Sequence, residues 1–119
     1  MRKLLIAAII ILGVLCITCE DSEYYARIEL YNPDGYTVSY SGSFESDLVE
    51  KTEVSGETPA PYEIEVNPEG DHVKATFWKT GDDFTNELVI ELIYRGVTRQ
   101  SETVLTPYTD IVILECDIP

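Results

Sequence analysis

Basic side chains are scarce in this sequence: 8 Lys and Arg stand against 22 Asp and Glu, a net charge of −14 over 119 residues. Beyond Arg2-Lys3 there is no basic stretch, and so acidic a chain cannot replace the counterions condensed on phosphate backbones, so nucleic acid is excluded as a partner. Histidine and tryptophan each occur once. No Gly-x-Ser-x-Gly elbow, His-Glu-x-x-His pair or Asp-x-Asp-x-Asp-Gly loop is present, and the sequence assigns no catalytic residue, no metal ligands and no cofactor. Helical periodicity is also missing outside the leader, where no apolar face recurs at the 3.6-residue spacing of a helix. The length holds one domain and leaves little space for a deep, multi-walled pocket.

What is present begins with an apolar leader. Residues 1–3 form a short basic head, residues 4–17 are apolar apart from Gly13, and the polar chain begins at Glu20. This is the layout of a secretory signal peptide. As a helix at about 1.5 Å per residue, residues 4–19 span roughly 24 Å, less than the ~30 Å hydrocarbon core. A signal cleaved within residues 1–19 is therefore expected, with a retained anchor in a thinned bilayer as the alternative. Cys16-Ile17-Thr18-Cys19 partly matches a bacterial lipobox, which makes Cys19 the expected lipid-attachment residue. Otherwise both cysteines are simply apolar residues of the leader. Residues 20–23 then read as an acidic tether and residues 24–119 as the folded domain, held at the extracytoplasmic side of a membrane.

Once the leader is set aside, Cys116 is the one cysteine within the domain, so no disulfide can form inside it. The domain must be held by its own core. Cys116 follows an apolar run and reads as a buried, inert thiol.

From Glu20 onward all 22 acidic residues remain against six basic ones (eight less Arg2 and Lys3), a net of −16. That composition approaches the range of disordered chains. The patterning argues for a fold. Ala26, Ile28 and Leu30 alternate with Arg27 and Glu29; Tyr36, Val38 and Tyr40 with Thr37 and Ser39; Tyr62, Ile64 and Val66 with Glu63 and Glu65; Val73, Ala75 and Phe77 with Lys74 and Thr76. Period-2 alternation is the signature of half-buried strands. Residues 88–94 and 111–114 are more continuously apolar, as central strands covered on both faces are. Asn32-Pro33-Asp34-Gly35 and Asn67-Pro68-Glu69-Gly70 fit turns closing tight hairpins, with glycine where a positive φ is wanted. Arg95-Gly96 fits a two-residue hairpin loop, and Thr80-Gly81-Asp82-Asp83 another turn. Pro59-Ala60-Pro61 reads as an extended link from one sheet to the other. Seven or eight short strands with turns about every ten residues predict an all-β, antiparallel immunoglobulin-like β-sandwich.

The order of these elements resembles the soluble domain of the MmpS family of small mycobacterial membrane proteins, which are transport accessory proteins. The likeness rests on Tyr31-Asn32-Pro33-Asp34-Gly35, Pro61-Tyr62-Glu63-Ile64-Glu65-Val66, Ile90-Glu91-Leu92-Ile93-Tyr94-Arg95-Gly96 and Ile111-Val112-Ile113-Leu114-Glu115-Cys116. It implies a small β-sandwich behind a hydrophobic N-terminal segment and a transporter as partner. The family commonly pairs its C-terminal cysteine with one on the apolar strand; the matching position here is Ile90, which leaves Cys116 without that partner.

Few residues carry candidate chemistry. His72 reads as a solvated surface residue, since Asp71 beside it points to the opposite face of a strand. Asp82 with Asp83, or Glu69 with Asp71, could each contribute to a calcium site, although a solvated acidic face is the simpler reading. Trp78 has opposite parity to Val73, Ala75 and Phe77 and so belongs on the more polar sheet face, where a ring beside Lys79 or Lys74 could stack on a ligand. The simpler alternative is a Trp78 packed beneath the following loop, residues 80–84, or against the other sheet. Together these residues point to a non-catalytic, membrane-tethered interaction or accessory module for an envelope or transport protein. The alternative is a small carbohydrate-binding or calcium-assisted ligand-binding module using Trp78.

Overall fold

The computed structural model describes residues 22–118. The leader, the lipid-attachment residue Cys19 and the first two residues of the tether lie outside the described residues. Eight strands follow: β1 (Tyr25–Tyr31), β2 (Ser39–Glu45), β3 (Thr52–Glu57), β4 (Ala60–Glu65), β5 (Asp71–Lys79), β6 (Leu88–Tyr94), β7 (Val97–Val104) and β8 (Val112–Ile118). They form two four-stranded sheets ordered β4-β1-β6-β7 and β3-β2-β5-β8, and each neighbouring pair is antiparallel. The protein is an all-β antiparallel sandwich of two four-stranded sheets, with no helix among the described residues.

Alternation builds the core. Ala26, Ile28 and Leu30 of β1, Leu88, Ile90 and Leu92 of β6, and Val73, Ala75 and Phe77 of β5 are all buried between the sheets, while their strand neighbours face outward. Complete burial of each valine, leucine, isoleucine or phenylalanine among them contributes roughly 1.5–3 kcal/mol, which is how a disulfide-free domain holds. At the β3/β4 end, aromatic side chains join the two sheets. Tyr40 and Tyr62 share a hydroxyl hydrogen bond of 2.6 Å, and Tyr40 stacks edge-on against Phe77 at 6.0 Å between ring centres. Burial, and then the bond to Tyr62, pushes the Tyr40 hydroxyl far above an ordinary phenol. Phe77 lies directly across from Gly42, where the missing side chain gives its ring room.

Connectivity departs from the sequence reading at three places. The Asn32 and Asn67 turns do form, closed by Gly35 N–H donating to Asn32 O at 3.0 Å and Gly70 N–H to Asn67 O at 3.1 Å. They do not close hairpins: each carries the chain from one sheet to the other, from β1 to β2 and from β4 to β5. Gly35 has φ +85°, whereas Gly70 is not in the positive-φ region. The link through Pro59-Ala60-Pro61 is shorter than expected, since Ala60 and Pro61 already belong to β4, an edge strand that tolerates proline. Residues 111–114 do not build a central strand. β8 is an edge, and Ile111 and Ile113 are 57% and 51% exposed. By contrast β6 does lie between two strands, and Arg95-Gly96 turns it into β7 with both residues at positive φ, the geometry of a type I′ hairpin.

Two buried polar residues organise the loops. Asp71, at the start of β5, accepts backbone N–H bonds from Asp47 at 2.7 Å, His72 at 2.6 Å and Asn67 at 2.9 Å. Lys79, at its end, shares core-facing parity with Phe77 and is fully buried. Its ammonium donates to the carbonyls of Asp83 (2.6 Å), Asn86 (2.6 Å) and Leu105 (2.9 Å), gathering two loops at one end of the sandwich. The placement of Trp78 beside the Lys79 side chain is thus corrected: the two point to opposite faces of β5.

Candidate functional site

Trp78 lies half-buried on the outer face of the β3-β2-β5-β8 sheet. Across the strands it stands opposite Ser41, which stands opposite Ser55; one row along, Thr76 faces Ser43 and Ser43 faces Glu53. Directly opposed residues on one sheet face have Cβ atoms about 4.5–5.5 Å apart, so these side chains are mutual neighbours. Because serine and threonine are short, the sheet surface sinks beside the indole. The result is a shallow depression of about 530 Å³ lined by Ser41, Ser43, Lys51, Glu53, Thr76 and Trp78 among others. This volume falls within the roughly 300–1,000 Å³ of small-molecule sites.

The polar groups here are uncommitted. Among the described residues, the hydroxyls of Ser41, Ser43, Ser55 and Thr76 and the charged ends of Lys51 and Glu53 make no hydrogen bond or ion pair. Ser43 stands out, because it is only 9% exposed. A polar side chain this buried is normally satisfied, and the opening available to its hydroxyl is the depression itself. Of the described lining residues, Glu53 carries the one carboxylate and Lys51 the one amine.

His72 and Lys74 share this face farther along β5. His72 is not simply solvated: its Nδ1 lies 2.6 Å from Asp117 Oδ1 and its Nε2 3.0 Å from Glu115 Oε1, both on β8. The bond to Asp117 raises its pKa, desolvation opposes the rise, and the bond to Glu115 reinforces it. A raised pKa means that the cross-strand clamp stabilises the fold fully below the unfolded value of about 6.5 and fades as pH rises through the folded value. Chemical denaturation of His72→Gln should accordingly show a flatter stability profile than wild type above about pH 6.5. The difference is small, because the His72 side chain is 45% exposed and solvent screens the charges. Six residues of strand, roughly 20 Å, separate His72 from Trp78, so the imidazole does not reach the depression.

Each of the two acidic loops weighed as calcium sites commits one of its two carboxylates internally, Asp83 in one and Asp71 in the other. Asp83 accepts from the Thr85 and Asn86 backbone N–H groups and from both side chains, and those bonds hold its carboxyl well below the usual range. Asp71 is taken up by three backbone amides as described above. No group of three or more His, Cys, Asp or Glu residues among the described residues is arranged to hold a metal ion. Cys116 is partly buried against the core as a free thiol, and burial pushes its pKa up, away from the reactive thiolate.

Of the sequence-derived site residues, Trp78 alone falls on the depression, and Cys19 is outside the described residues. Sequence reasoning did not single out Ser41, Ser43, Ser55, Thr76, Lys51 or Glu53. The period-2 run Ser39, Ser41, Ser43, opposite in parity to Tyr40 and Phe44, is the signal that could have found the central ones. The fold and this face define a small all-β sandwich domain with an open, hydroxyl-lined surface site centred on an aromatic ring. Comparisons with protein families, with curated proteins and with solved structures return no match to this chain.

Proposed function

We propose that this protein is a non-catalytic recognition module, tethered to the extracytoplasmic side of a membrane by lipid on Cys19 or by its retained leader, and accessory to an envelope or transport protein. The observation that carries this reading is the Trp78 face: an aromatic ring beside uncommitted polar groups on the flat side of a rigid sandwich. Such surfaces present anchor residues to partners at little entropic cost. The tether supports the same reading. Tyr94 donates its hydroxyl to Glu23 O at 2.8 Å, so the chain joins the sandwich at Glu23. Three residues then separate Cys19 from the fold, a reach of roughly 14 Å at full extension, which keeps the domain close to the membrane surface. The resemblance to the MmpS family would make the partner a transporter.

Affinity purification of the tagged full chain from detergent-solubilised membranes should recover a specific envelope component that Trp78→Ala loses. Repeated recovery of the protein alone would count against the module. Mass spectrometry of the mature N-terminus tests the tether separately: a lipid-modified Cys19 or an intact Met1 supports it, and an unmodified, cleaved chain removes it.

A further inference from the structure

We infer that the depression beside Trp78 is a binding site for an uncharged saccharide, a pyranose unit of an oligosaccharide or glycan. The inference rests on reading this sheet face as the recognition surface and names the chemistry it recognises. Three observations carry it. First, Trp78 lines the depression from an outward, half-buried position. The C–H face of a pyranose is apolar and slightly positive, which complements the negative face of an indole. Second, the hydroxyls of Ser41, Ser43, Ser55 and Thr76 line the same depression to one side of that ring, each able to donate and accept, and none engages another described residue. A sugar edge offers the same mixture of donors and acceptors. Third, Ser43 is nine-tenths buried and its hydroxyl has no partner among the described residues, so its hydrogen-bonding capacity at the floor is open to whatever fills the depression.

Other ligand classes fit less well. A hydrocarbon would seal the Ser43 hydroxyl away without a partner, at a cost of about 1–3 kcal/mol. Anionic groups meet a net charge of −16 from residue 20 onward, with Glu53 at the rim. A hard divalent cation needs six or more oxygens, and the described lining holds one carboxylate. With a neutral sugar, Glu53 accepts hydrogen bonds from two adjacent ring hydroxyls and Lys51 donates to a ring or hydroxyl oxygen, so both charges keep polar partners.

Trp78 is the one tryptophan of the chain, so fluorescence of the full-length protein in detergent, excited at the red edge where its eight tyrosines do not absorb, reports on this site alone. Neutral trisaccharides of glucose, mannose and N-acetylglucosamine should be titrated in turn, and at least one should shift and quench the emission saturably. Ser43→Ala and Glu53→Gln should each weaken that binding about tenfold or less, by several-fold at minimum, as loss of one hydrogen bond does. Because the Ser43 hydroxyl has no partner in the fold, Ser43→Ala should leave the thermal midpoint unchanged, which separates a ligand contact from a structural one. No saturable change up to about 10 mM of any trisaccharide, the weak end of measurable affinity, overturns the saccharide assignment. Saturable binding that both variants retain unchanged also overturns it, by placing the sugar elsewhere. If the titrations fail while a protein partner is still recovered from membranes and lost with Trp78→Ala, the recognition face stands and the sugar chemistry falls. If both fail, the recognition reading falls with it.

Discussion

Lys79→Met is expected to destabilise the fold by about 3 kcal/mol, since three part-buried carbonyls lose at once the donor they share and each polar group left unmet costs up to about 1–3 kcal/mol. The carbonyls of Asp83, Asn86 and Leu105 converge on the ammonium from two different loops, and nothing in the apolar methionine replaces it. Methionine keeps most of the stem, so lost packing is not the cause. Lys79→Ala should be worse still because it adds a cavity. Arginine is no rescue, as a planar fork cannot donate to three carbonyls arranged around one point. Urea denaturation followed by circular dichroism measures the effect. A Lys79→Met variant within 1 kcal/mol of wild type would show that the loops close without the ammonium. Hydrogen exchange should localise the loss first to residues 80–87 and 105–110, the segments that the side chain and its strand end hold.

Gly42→Ala is expected to cost a comparable amount, about 3 kcal/mol, the upper part of the range for overpacking a full core. A Cβ at this position would overlap the Thr76 carbonyl oxygen and the Phe77 ring. The carbonyl belongs to the paired strand and cannot move without breaking the ladder, and Phe77 is fully buried and stacked on Tyr40. Gly70 supplies the control. Nothing lies within 4 Å of a Cβ there and its φ is not positive, so Gly70→Ala should be neutral or slightly stabilising. Equal stability of the two alanine variants would remove the steric account of Gly42.

Strands were legible in the sequence because alternation is a local property. Val73, Ala75 and Phe77 on one parity and Lys74, Thr76 and Trp78 on the other describe β5 without any knowledge of its neighbours. The Arg95-Gly96 hairpin was legible for the same reason, since its twist is set by two residues. Where each strand lies in the sandwich was less so. The Asn32 and Asn67 turns look like hairpin closures because turn chemistry fixes local geometry and says nothing about which sheet receives the next strand. β8 reads as central because isoleucine and valine dominate it, yet its outer face carries an exposed Ile113 at the sheet edge. Lys79 continues the buried parity of its strand, but a lysine is read as solvated unless its three carbonyl partners, 4, 7 and 26 residues away, are known.

Composition and local order alone decide that this chain is acidic, carries an apolar run over residues 4–17, holds a single cysteine within its domain and folds as short alternating strands. Those properties depend on neighbours along the chain. The candidate site depends on neighbours across it. Ser43 and Ser55 gain meaning only when β2 pairs with β3 and β5 in the observed register, which places them on the sheet face that carries Trp78 and leaves the largely buried Ser43 without a partner among the described residues. A one-residue slip would turn the same serines into the core and dissolve the depression, because side chains alternate with a period of two. Register is a long-range outcome of packing, and so only the tertiary structure decided which side chains of this acidic β-sandwich meet in the depression beside Trp78.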